Sequence, residues 1–179
     1  MTDQWACAAL ACVIVAVVIY PFIRAAENLS WFDSFLVQKR KGEIRLSLTL
    51  FFGISATVIA IAWGLLGKPY VAVASILMWG QGDAAAAIVG KTWGNHPLPL
   101  QKEKGKKTWE GSFAMMGTCC VCCSLTLLFM TSFIWWRILV TTLFCSMVAT
   151  FAEAVSSSEW DTVTVPITAL ISLALCVLF

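Results

Sequence analysis

Charge is the scarcest property of this chain. Asp, Glu, Lys and Arg make up only 12% of its 179 residues, against 60% hydrophobic residues. Mean hydropathy is +0.85. A soluble domain needs far more polar surface, so that class is excluded. Histidine is nearly absent, with His96 the single instance. The cysteine cluster Cys119-Cys120-Val121-Cys122-Cys123 therefore has no histidine nearby, and its spacing matches no zinc pattern. All eight cysteines fall in apolar runs and read as small, inert, buried side chains. Low-complexity linkers and internal repeats are also missing, which leaves one membrane domain across 1–179.

What is present is apolar length. Uncharged runs close to the ~20 residues that a spanning helix needs fall at 5–23, 46–66 and 112–133. The run 133–152 carries Arg137 near one end, 69–90 spans if Asp83 is tolerated, and 162–179 is slightly short. The expectation is an all-α, polytopic integral membrane protein of about six transmembrane helices. No basic residue precedes the first run and Arg24 follows it, so it is expected to be a retained helix and not a cleaved signal.

The basic residues sort into alternate loops. Arg24, Lys39, Arg40, Lys41 and Arg45 fall in the first; Lys91, Lys102, Lys104, Lys106 and Lys107 fall in the third. Lys68 and Arg137 lie on the other side. Loops one, three and five are therefore expected in the cytoplasm and both termini outside. Within loop one, Trp31, Phe32, Phe35, Leu36 and Val37 before Lys39-Arg40-Lys41 read as an interfacial helix with a basic end. The net charge of +2 gives no reason to expect nucleic acid as a partner.

One segment breaks the apolar pattern. Residues 80–112 read GQGDAAAAIVGKTWGNHPLPLQKEKGKKTWEGS. A carboxylate at membrane depth is costly, so Asp83 is a functional candidate. Gly80, Gly82 and Ala84 to Ala87 allow close helix packing, expected to crowd neighbours around Asp83. Glycines and prolines then mark a loop from Gly90-Lys91 onward. Its His96 reads first as a surface residue, and Lys102 and Lys104 as topology signals. Thr108 is placed to cap a helix. Free N–H groups at that helix start would favour a phosphate, with Gly111 permitting close approach. Glu110 in the first turn suits the helix dipole. A carboxylate facing lysines at a membrane surface points to a phosphorylated substrate held with a divalent metal. The acidic segment 153–166, with Glu153, Glu159 and Asp161, is expected to meet the same compartment and complete the site.

Taken together, Gly82-Asp83-Ala84, Gly90-Lys91, Gly94-Asn95-His96 and Lys106-Lys107-Thr108-Trp109-Glu110-Gly111-Ser112 resemble the membrane-embedded CTP-using superfamily. Its branches are the polyprenol kinase family (phytol, dolichol and farnesol kinases and CTP-dependent diacylglycerol kinase) and the phosphatidate cytidylyltransferases. The ending Glu153, Asp161 and Val165-Pro166 resembles the kinase branch, and the cytidylyltransferase C-terminal signature is absent. The chain departs from the pattern at Trp160-Asp161-Thr162, where relatives carry Asp-Asp-Asn, and lacks their Arg-Lys … His motif.

The resemblance implies transfer of the γ-phosphate of CTP to a lipid alcohol such as phytol, a polyprenol or dolichol, farnesol or diacylglycerol. It implies Mg²⁺, with Asp83 its first ligand, Asp161 its second, and Glu110 and Glu153 further candidates. Lys91 and Lys107 would hold the phosphates, with Gly82, His96, Lys106, Thr108, Glu110, Gly111 and Ser112 around the nucleotide. Asp83, Asp161 and Lys107 are the implied catalytic residues. Bacterial members of the branch place such a chain in the inner membrane, with membrane lipids as its surroundings. Two other readings remain at this point. One is a phosphatidate cytidylyltransferase making CDP-diacylglycerol. The other is a non-catalytic transporter or degenerate family member, with Asp83 as an ion or proton site.

Overall fold

A computed structural model describes residues 4–26, 43–99, 107–156 and 160–178. Six α-helices dominate them: α1 (Gln4–Ala26), α2 (Glu43–Ile59), α3 (Pro69–Trp93), α4 (Trp109–Met130), α5 (Trp135–Val155) and α6 (Asp161–Leu178). A π-helical stretch, Ala60–Leu65, extends α2 to spanning length. Five helices are long and apolar enough to cross a membrane, and α6 is a shorter apolar helix. The expected interfacial helix of loop one lies outside the described residues, as do Lys102, Lys104, Lys106 and Glu159.

These segments are helical because a chain in hydrocarbon must satisfy each N–H and C=O within the segment itself. Most hydroxyls follow the same logic and bond back one turn. Ser75 donates to the Val71 carbonyl at 2.8 Å, Thr118 to Ala114 at 2.9 Å and Thr126 to Cys122 at 2.8 Å. Outward faces are as apolar as the interior, with Phe22, Phe129, Ile134 and Trp135 all exposed. That distribution suits lipid and not water as the surrounding solvent. Between α2 and α3 the chain turns at Gly67, whose φ of 64° is a left-handed conformation open to glycine.

Helices α3 to α6 close into a four-helix ring: α3 packs on α4, α4 on α5, α5 on α6, and α6 returns to α3. Helix α2 rests on α3 and α6, and α1 lies outermost on α2. Phe51 of α2 stacks on Trp79 of α3, with ring centroids 4.7 Å apart. The ring's core is built from Met78, Met115, Leu127, Leu173 and the buried thiols Cys119, Cys123 and Cys145. All eight cysteines are free thiols. Cys119 donates to the Met78 carbonyl at 3.3 Å, so α3 and α4 touch backbone to side chain.

Candidate functional site

Helix α3 runs further than the glycines of the polar segment suggested. It continues to Trp93, so Gly90 and Lys91 are helical and the loop begins only at Gly94. The helix survives Gly90 because that residue faces α4: a Cβ there would meet Thr108 Oγ1 at 3.1 Å. Lys91 sits exposed in the last turn, where a cation complements the helix dipole.

The same packing corrects the expected surroundings of Asp83. The stripe of α3 that meets α4 runs through Met78, Gly82, Ala86 and Gly90. A Cβ on Gly82 would come within 2.8 Å of Cys119 Sγ, and one on Gly111 within 2.9 Å of the Ala86 carbonyl. Asp83 is one residue, about 100° of helix, away from buried Gly82. It is exposed, as are Ala84 and Ala87. Small residues do bring the helices together, but the carboxylate lies beside the seam and not within it.

The loop that follows is closed at its base. Pro97 and Thr108 form an antiparallel bridge. Leu98 N–H donates to the Lys107 carbonyl at 2.9 Å, and Trp109 N–H to the His96 carbonyl at 3.0 Å. Thr108 caps α4 as expected, its hydroxyl accepting from Gly111 N–H at 3.2 Å. Ser112 N–H donates to the Thr108 carbonyl at 3.1 Å. Of the donors at this helix start, those of Trp109 and Gly111 are thus occupied within the chain. Gly111 is small because the Ala86 carbonyl and Gly90 lie against it.

Glu110 and His96 are brought together, with His96 Nδ1 2.6 Å from Glu110 Oε1. The Glu110 carboxylate also accepts from the backbone N–H groups of Asn95 at 3.3 Å and His96 at 3.4 Å. Glu110 therefore organises the loop, which neither its metal role nor a simple dipole effect anticipated. Asn95 contributes here through its backbone, which no side-chain pattern in a sequence reveals.

Lys107 turns away from the loop. Its ammonium pairs with Glu153 Oε1 at 2.9 Å, with both side chains under 10% exposed. It also donates to the Glu153 carbonyl and, at 3.3 Å, to the Ser156 carbonyl. Lys107 thus finishes the C-terminal end of α5, where unpaired carbonyls and the dipole favour a cation. The polar segment and the acidic segment meet through this pair. Asp161 is described through its backbone alone, as the first residue of α6.

Among the described residues no three His, Cys, Asp or Glu side chains converge as a metal cage. Mg²⁺ does not require one, since it binds through one or two carboxylates plus substrate phosphates. The hard oxygens of Asp83 fit that pattern. Glu110 and Glu153 are held by His96 and Lys107. Away from this end, a groove of about 400 Å³ opens between α4 and α5, lined by residues including Ser124, Leu128, Trp135 and Thr142.

Fold and site define a polytopic all-α membrane protein with one polar end, built where the α3–α4 loop meets the end of α5. Within that class it is a distant homologue of a phytol-kinase-like protein. Over 121 residues, 66% of this chain, it is 31% identical to "Phytol kinase" of Synechocystis sp. (strain ATCC 27184 / PCC 6803 / Kazusa). The match covers 50% of that relative, so the chain spans about half its length. No protein-family model matches the chain, and no solved structure matches it.

Proposed function

We propose that the chain is a membrane-embedded kinase that transfers the γ-phosphate of CTP to a lipid alcohol: phytol, a polyprenol or dolichol, farnesol or diacylglycerol. The observation that carries this is the similarity to the protein named phytol kinase over two thirds of the chain. A polar end on a lipid-facing bundle supports it, because an alcohol with a long apolar tail has its head there and its tail between helices. We place loops one, three and five in the cytoplasm, the termini outside, and the chain in a bacterial inner membrane.

Phosphoryl transfer is a matter of positioning and charge neutralisation. Asp83, Ala87 and Lys91 follow one another at four-residue spacing along an exposed side of α3. Asp83 would hold Mg²⁺ and Lys91 the triphosphate about 12 Å further along the axis, at 1.5 Å per residue. Bound Mg²⁺ would supply neutralisation of the phosphate charge. A carboxylate near the alcohol accepts its proton, and Asp83 and Asp161 are the residues for that role. Lys107 can reach a phosphate only by leaving Glu153, so its first contribution is to fix the loop and α5 together.

The test uses purified protein in mixed micelles with Mg²⁺, a panel of lipid alcohols and phosphatidate. CTP is labelled on the γ- or the α-phosphate in parallel reactions. Label from the γ position in the lipid, lost in Asp83→Asn, is the expected result. Label from the α position would mean cytidylyl transfer, and no label from either would sink the enzymatic reading.

A further inference from the structure

At the end of the bundle away from Lys107 the chain places two cations, Lys68 and Arg137. Lys68 is the N-cap of α3. Arg137, in the first turn of α5, is held at two points. Its guanidinium lies 4.6 Å from the centre of the Phe133 ring. Its Nη2 donates to the Cys176 carbonyl of α6 at 3.3 Å. Phe133 is braced in turn by Tyr70 of α3, edge-on, with ring centroids 6.0 Å apart. Among the described residues no carboxylate pairs with Arg137.

The guanidinium is thus fixed on one face and at one nitrogen, and it stays exposed. A guanidinium carries five N–H donors in a rigid fork. One carbonyl fills little of that capacity. A fork held still with donors to spare is shaped for an oxyanion, and holding it still in advance lowers the ordering cost of binding.

The surroundings say which oxyanion. Ile134, Trp135 and Trp136 beside Arg137 are all exposed. Tryptophans in such a position mark the headgroup level of a bilayer. Val140, Phe144 and Phe151 follow Arg137 along α5 at spacings of three, four and seven, so they share its face, and all three are exposed. Helix α6, which supplies the Cys176 carbonyl, exposes Ile171 and Leu175. A fixed cation at headgroup level with apolar strips running from it matches an amphiphile with a phosphate head and acyl chains.

We infer that Arg137 binds the phosphate of a phospholipid in the leaflet at this end, with the acyl chains along the exposed strips of α5 and α6. Phe133 and the Cys176 carbonyl hold the fork ready. The site lies apart from the polar end and does not depend on the kinase reading.

The experiment is native mass spectrometry of the full chain, released from detergent micelles that contain either phosphatidylglycerol or a galactosyl diacylglycerol lacking phosphate. The wild type should retain phosphatidylglycerol in preference to the galactolipid. Arg137→Ala should lower that retention about tenfold or more, through loss of charge-assisted hydrogen bonds. Arg137→Lys keeps the charge without the fork and should fall between the two. Phe133→Leu leaves the arginine in place but frees it, and should weaken retention about threefold. Equal retention by the wild type and Arg137→Ala overturns the site. Equal retention of the two lipids by the wild type overturns it as well, because the chains alone would then hold the lipid. Displacement of phosphatidylglycerol by millimolar inorganic phosphate would show a site for free phosphate and overturn the assignment to a lipid. If Arg137→Ala fails to fold, the comparison of lipids on the wild type and the Phe133→Leu variant still decides.

Discussion

At one end of the bundle Lys107 closes α5; at the other Arg137 reaches α6. Both place a cation on the last carbonyls of a helix, Lys107 on Glu153 and Ser156, Arg137 on Cys176 at 3.3 Å. The chemistry around them is opposite. Lys107 is buried and has a carboxylate facing it. Arg137 is exposed, and its guanidinium lies 4.6 Å from the ring centre of Phe133. A cation that only finishes a helix can stay at the surface over an aromatic face. A cation buried with a carboxylate carries a desolvation cost that stability alone seldom justifies. The two ends therefore differ in how the closing cation is held, by a buried carboxylate at one and by an exposed aromatic face at the other.

Breaking the buried pair is the strongest way to test that difference. Glu153→Ala or Lys107→Met leaves one uncompensated buried charge and should cost about 3–5 kcal/mol, read as thermal unfolding in detergent. The double variant Lys107→Met with Glu153→Leu should recover much of that loss, and no recovery would mean the two side chains are not coupled. Next comes the loop's attachment. A Cβ on Gly94 would sit 2.2 Å from the Gly90 carbonyl and 2.8 Å from Thr108 Oγ1. Gly94→Ala should cost about 1–3 kcal/mol through forced backbone shifts, seen as faster limited proteolysis between α3 and α4. Thr108→Ala removes the cap of α4 and should cost about 1 kcal/mol. Thr108→Ser should restore it, which a loss of packing alone would not allow. At the other end, Arg137→Ala should cost no more than about 1 kcal/mol. An effect there as large as that of Lys107 would erase the contrast between the ends.

Five of the six helices were legible because their apolar runs have the length that hydrocarbon demands, the sixth from a shorter run, and the helix bounds fall within a few residues of those runs. Thr108 was legible as a cap because capping is a local event. The face of α3 was not. Its apolarity is nearly uniform around the axis, so nothing in the alternation of residues says that Gly82 packs and Asp83 does not. Lys107 and Glu153 are 46 residues apart, and a contact of that range leaves no periodic trace. His96 read as a surface residue and is 79% exposed at its side chain, yet it still holds Glu110.

The bridge between Pro97 and Thr108 has one more consequence. It fixes the two ends of the intervening segment side by side, whatever that segment's length. The entropic cost of joining two fixed ends grows slowly with the number of residues between them, by about 0.6 kcal/mol per doubling. Extra residues inserted there would leave Glu110, His96 and Lys107 where they are. A reporter sequence inserted between the two bridged ends should therefore leave the polar end in place.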